Sequence, residues 1–142
     1  MFKPIYLLLS SSLITPRSTL KMSWYNILLD STISTTQYLK DNYDNVDFKV
    51  LDQIESGSKI IRVSEFIRND KTIVHSIVEI DVEENSRVFI DLIRGRIIPI
   101  GDILKSHGYH VDRRILFHDE HSKEYLMSGD VVIKITEKYY DM

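Results

Sequence analysis

The sequence predicts an α+β fold: one antiparallel β-sheet of about six strands, with helices over one face or end. Two observations carry that expectation. Segments of period-two apolar patterning outnumber those with helical spacing. Successive strand-like segments are joined by short turn-forming links, which suit antiparallel neighbours.

The elements follow in order. Trp24, Ile27 and Leu28 have helical spacing. Asp30-Ser31-Thr32 offers N-cap oxygens to a helix carrying Ile33, Gln37, Tyr38 and Leu39. After a turn at Asn42 to Asn45, Val46, Phe48, Val50 and Ile54 alternate with Asp47, Lys49 and Gln53 as a strand with one wet face. Ser56-Gly57-Ser58 turns the chain into a strand from Lys59 to Arg68. Asn69-Asp70 then turns it into another from Thr72 to Asp81, a hairpin. Glu83 to Ile93 reads as a helix with Val88, Phe89, Leu92 and Ile93 on one side. The run Gly95-Arg96-Ile97-Ile98-Pro99-Ile100-Gly101 is a turn, with Pro99 suited to a first helical turn. Its glycines permit geometries and close approaches that a Cβ blocks. A short helix runs from there to His107 and stops at Gly108. Val111 to His118, Lys123 to Met127 and Val131 to Tyr139 complete the strands, the last after a Ser128-Gly129-Asp130 turn.

Composition narrows the function. The 142 residues make one domain with a core large enough to need no staples. A net charge of −3 with both signs interspersed gives no footprint for nucleic acid. With no cysteine there are no disulfides, no thiol chemistry and no thiolate metal site. Residues 1–21 carry an apolar run too short and too interrupted by serines to span a bilayer, and no A-x-A site follows. They are expected to form an extension or arm on a domain of residues 22–142. The abundance of Ile, Asn, Lys and Tyr, with no alanine, points to an AT-rich genome, and a plastid or a microbial cytoplasm fits equally. A monomer or weak oligomer is expected.

Two charges stand out. Glu137 continues the apolar face of Val131, Ile133 and Ile135, while Lys134 and Lys138 mark the other side. A carboxylate there is paired, protonated or facing a ligand, unless the sheet ends at Ile135 and leaves it in water. Arg62 shares a face with Ile60, Ser64 and Phe66. The opposite face (Ile61, Val63, Glu65, Ile67) is as apolar, so Arg62 either snorkels or forks a carboxylate in a partly dry cleft. The pairs His107/His110 and His118/His121 lack convincing metal-ligand geometry, so no metal is expected. His75 and Ser76 are strand neighbours and face opposite ways, which excludes a nucleophile–base pair.

From about Trp24 onward the chain resembles the chorismate pyruvate-lyase family. The resemblance rests on four ordered segments: Leu28 to Ser34, Ile61-Arg62-Val63 with the Asn69-Asp70 turn, Gly95 to Leu104, and Thr136-Glu137 after Ser128-Gly129-Asp130. It implies helical flaps enclosing a site on the sheet, and conversion of chorismate to 4-hydroxybenzoate and pyruvate without metal or organic cofactor. Arg62 would hold the ring carboxylate and Glu137 would reach the ring hydroxyl. Backbone near Arg94 and Gly95 would contact ligand, and Ile33 would cover the ring. Arg113 falls where relatives often carry an arginine, whereas Ile77 replaces an arginine that some carry on the third strand. The glycine–proline turn is one residue longer than the family's usual form. The same fold also serves as the ligand-sensing domain of certain transcription repressors, behind a helix-turn-helix module. The roughly twenty residues ahead of this domain are too few for that module. A free-standing, non-catalytic binding domain is the alternative.

Overall fold

The computed structural model describes residues 22–142; the expected N-terminal arm, residues 1–21, lies outside the described residues. Six strands form one sheet: β1 (Val46–Ser56), β2 (Lys59–Arg68), β3 (Lys71–Asp81), β4 (Val111–His118), β5 (Ser122–Gly129) and β6 (Ile133–Tyr139). Their spatial order is β1-β2-β3-β6-β5-β4, and every pairing is antiparallel. The α+β expectation and its antiparallel sheet hold. No helix among the described residues is long and apolar enough to cross a membrane.

The turns follow from residues that tolerate left-handed backbone. Asn69 and Asp70 both have positive φ, 51° and 62°, the geometry that matches a two-residue hairpin to strand twist. Gly108 ends its helix at φ 64°. At the glycine–proline turn the left-handed residue is Arg96 (φ 62°), whereas Gly95 keeps an ordinary right-handed conformation.

Among the described residues, four α-helices connect or cover the strands: α1 (Asn26–Leu29), α2 (Thr35–Asn42), α3 (Arg87–Arg94) and α4 (Ile100–Ser106). Two begin later than the sequence suggests. Ser34, and not the Asp30-Ser31-Thr32 stretch, caps α2 by accepting from the Gln37 N–H, which leaves Ile33 ahead of the helix. Ser86 caps α3 through the Phe89 N–H, and Val82–Glu84 forms a separate 3-10 turn. Phe89, Ile90 and Ile93 are the buried face of α3, and Val88 points outward. Pro99 is the residue before α4, with extended ψ, so the helix proper starts at Ile100.

The helices lie over the sheet face that carries Ile60, Arg62, Ser64 and Phe66 of β2, which decides the ambiguity of that strand. Two apolar clusters fill the space. The larger joins α3 and α4 to Ile60, Val78, Ile80, Tyr125, Met127, Ile133 and Ile135. The smaller gathers Tyr25, Leu28, Leu39, Phe66, Ile73, Val74 and Tyr139, with Trp24 edge-on to the stacked Tyr25 and Tyr139 rings.

Between the clusters, α2 meets α4 at close quarters. A Cβ on Gly101 would stand 2.7 Å from both Cβ and Oγ1 of Thr36, closer than side chains approach. Lys40 and Asp102 pair across the same junction at 2.7 Å. Gly101→Ala is therefore expected to force the two helices apart and to lower stability by about 1–3 kcal/mol, the usual cost of overpacking. A urea titration would read this as a lower midpoint, and an unchanged midpoint would contradict the close contact.

Candidate functional site

One register row of the sheet is polar from strand to strand. Ser64 pairs with Ser76, Ser76 with Glu137, and Glu137 with Lys123. All four side chains are buried, and the row lies between the two apolar clusters. The next row brings Gln53, Arg62, Val78, Ile135 and Tyr125 into register. Because alternate residues share a face, both rows look toward the helices.

A cavity lies over these rows. Its floor is Arg62, Ser64, Phe66, Ser76, Val78, Tyr125, Ile135 and Glu137. Ser34, Thr35 and Thr36 of the α2 start and Pro99, Ile100 and Gly101 of the α4 start roof it, with Phe48 and Arg113 at the sides. Open solvent at its mouth included, the space measures about 450 Å³, and its enclosed part holds only a few water molecules. A six-membered ring therefore requires the roof to move or the lining to rearrange.

Arg62 is 1 % exposed. Its Nε donates to Gln53 Oε1 at 2.9 Å, Nη1 to the Ile98 carbonyl at 2.8 Å and Nη2 to the Ile93 carbonyl at 3.0 Å. The buried guanidinium thus ties the α3–α4 turn to the sheet. A guanidinium has five N–H groups, so one on each terminal nitrogen is left over. No carboxylate forms an ion pair with it among the described residues. Burial, reinforced by the charge of Arg96, lowers its pKa to about 10, so it stays cationic at neutral pH.

Glu137 is 5 % exposed, and β6 continues beyond it to Tyr139, so the sheet does not end at Ile135. Its Oε1 accepts from Thr35 Oγ1 and from the Tyr139 hydroxyl, both at 2.8 Å. The Tyr125 hydroxyl also lies against this carboxylate as a hydrogen-bonding neighbour. The Tyr125 and Tyr139 hydroxyls are pushed up, first by burial and then by the neighbouring carboxylate, so both remain protonated donors. Arg113, half-buried on β4, has a buried Nε–H with no hydrogen-bond partner.

Lys123 is the site residue that the sequence reading missed. It is 2 % exposed, donates to the Ser31 carbonyl at 3.1 Å and lies 5.0 Å from the centre of the Tyr125 ring. The signal was its place on the same strand face as Tyr125 and Met127. Ser64, Ser76 and Thr35 were also missed as site residues, because a small hydroxyl does not interrupt an apolar pattern.

Of the six residues singled out from sequence, Arg62, Glu137 and Arg113 come together on the cavity. Ile33 is 41 % exposed and does not line it. Arg94 is exposed, paired with Glu55 at 2.6 Å and with Asp91 at 3.6 Å, and neither it nor Gly95 lines the cavity. From that turn it is the Ile93 and Ile98 carbonyls that reach Arg62. Ile77 is on the far face of β3, 40 % exposed, where no side chain can enter the cavity. Among the described residues, no three His, Cys, Asp or Glu side chains gather as a metal site requires.

No protein-family model matches the chain, and neither does any curated protein. The case for a function therefore rests on the groups around this cavity.

The buried lysine gives a pH dependence with a definite sign. Burial lowers the Lys123 pKa, Arg113 lowers it further, and Glu137 and Asp30 oppose the shift. The folded protein holds that proton less tightly than the unfolded chain, whose lysine titrates near 10.4. Lys123 thus imposes a folding penalty at neutral pH, which is relieved as pH rises through its folded pKa toward the unfolded value. The stability of wild type minus that of Lys123→Met should shift in favour of wild type as pH rises from neutral toward about pH 10.5. Urea titrations across that range test this, and a constant difference would contradict it.

Proposed function

We propose that the cavity holds a ring carboxylate between Arg62 and Glu137, and that the chain is a cofactor-independent lyase converting chorismate to 4-hydroxybenzoate and pyruvate. One observation carries the reading. The cavity is lined by polar groups whose hydrogen-bonding capacity the protein leaves unspent: two N–H of Arg62, and the Arg113 guanidinium, which makes no hydrogen bond to a described residue. Buried polar groups are ordinarily satisfied, and those that are not call for a water, an ion or a ligand.

Charge narrows the ligand class. Arg62 and Arg113 are two cations beside the single carboxylate of Glu137 on the cavity lining, an excess of one positive charge. An anionic ring matches that excess, and chorismate is a ring carboxylate. The resemblance of the Arg62, Gly95–Leu104 and Glu137 segments to chorismate pyruvate-lyases selects it from other anionic rings.

The chemistry asks little of the protein. The hydrogen leaves the hydroxyl-bearing ring carbon, the C–O bond on the adjacent carbon breaks, and its electron pair departs with the ether oxygen. The ring becomes aromatic, and the released enolpyruvate takes a proton on carbon to become pyruvate. Arg62 fixes the ring carboxylate. Glu137, held by Thr35 and Tyr139, presents its carboxylate to the ring hydroxyl. Orientation and a preorganised field in a water-poor cavity supply the rate.

The test is incubation with chorismate, with pyruvate and 4-hydroxybenzoate expected in equal amounts. Glu137→Gln should lower kcat by roughly 10²-fold or more while the protein stays folded. Arg62→Ala would also strip the Ile98 carbonyl and Gln53 Oε1 of a donor, so Arg62→Lys is the cleaner variant. It keeps the charge but not the fork and should raise KM by roughly tenfold. Arg87→Ala, at the exposed start of α3, should match wild type. Equal activity in all variants would contradict the site. Binding of 4-hydroxybenzoate without pyruvate release would make the chain a non-catalytic binding domain.

A further inference from the structure

The floor of the cavity has two unlike edges. A ring stretched from Arg62 to Glu137 crosses β2, β3 and β6 on a diagonal, since Glu137 is two strands away and one inward-facing row along. On one side of that diagonal are Ser64, which follows Arg62 on the same face, and Ser76, the cross-strand partner of both Ser64 and Glu137. On the other side are Val78 and Ile135, themselves partners. All four line the cavity.

The serine edge has no structural task that explains it. Ser64 is 3 % and Ser76 6 % exposed, yet neither hydroxyl makes a hydrogen bond to another described residue. Both residues line the cavity. A buried hydroxyl without a partner costs folding free energy, and alanine at either position would avoid that cost.

We infer that Ser64 and Ser76 are specificity residues that receive a second ring oxygen, on the carbon next to the one whose oxygen faces Glu137. The site thereby selects catechol-type ring carboxylates, such as 3,4-dihydroxybenzoate, over rings with a single para oxygen. The inference rests on the Arg62–Glu137 reading of the site and deepens it, since chorismate itself carries its ether oxygen on that neighbouring carbon. Ser76 is nearest the oxygen held by Glu137, and Ser64 extends the polar edge toward Arg62. Each hydroxyl can donate to or accept from the added oxygen. A benzoate hydroxylated only para to the carboxylate leaves both unmet.

Calorimetric titration of the full chain with 4-hydroxybenzoate and with 3,4-dihydroxybenzoate tests this. Wild type should bind the dihydroxy ring about five- to tenfold more tightly, the effect of one well-made buried hydrogen bond. The Ser64→Ala/Ser76→Ala double variant removes two unmet hydroxyls and should fold at least as well as wild type. It should lose that preference, so that the two ligands bind it alike. Equal affinity of wild type for the two ligands, or a preference that survives in the double variant, would overturn the serine assignment and leave the Arg62–Glu137 site standing. Failure of wild type to bind either ligand would overturn the site reading itself, and the serine assignment with it.

Discussion

The polar row Ser64–Ser76–Glu137–Lys123 sets the terms for the rest of the molecule. It crosses four strands on a face that is otherwise apolar, so the core cannot close as a single cluster and fills on either side of the row. Burying such a row opposes folding unless its members find partners. The chain meets only part of that demand. Thr35 and Tyr139 satisfy one oxygen of Glu137, and Ser31 accepts from Lys123. Ser64, Ser76 and Glu137 also line the cavity. The α2 start and the α4 start are drawn over that space by groups belonging to the row and by the junction at Gly101.

Arg62 plays the corresponding part for the longer turn. Its bonds to the Ile93 and Ile98 carbonyls span the glycine–proline segment, and Gln53 steadies the guanidinium from β1. One side chain thus fixes the roof and keeps two N–H groups uncommitted. Retaining a charged group at 1 % exposure with no acidic partner among the described residues is costly, which is why its pKa falls.

Much of this was legible in the sequence. Strand alternation located all six strands and placed Glu137 on the inward face, because each strand has clear turn residues at its ends. The face of Arg62 was not legible, since both faces of β2 are apolar and one of them is half-exposed on the uncovered side of the sheet. The start of α2 was misplaced because Asp30, Ser31, Thr32 and Ser34 can all cap a helix, and the choice is tertiary: Ser31's carbonyl is taken by Lys123. The start of α3 was read too early because Glu83 and Glu84 suit a first helical turn. The chain spends them in a 3-10 turn held by Asp81, and Asn85 then bridges to Val132. Lys123 and the two serines escaped notice because a residue at a strand's start and small hydroxyls leave the apolar pattern intact.

The central claim is that the unspent donors of Arg62 and Arg113 belong to an anionic ring ligand. Arginine Nε–H signals in a 15N spectrum, followed while 4-hydroxybenzoate is added, test it most directly. The signals of Arg62 and Arg113 should move and saturate together, while those of the exposed Arg87 and Arg114 stay in place. A silent Arg62, or shifts confined to surface arginines, would contradict the account.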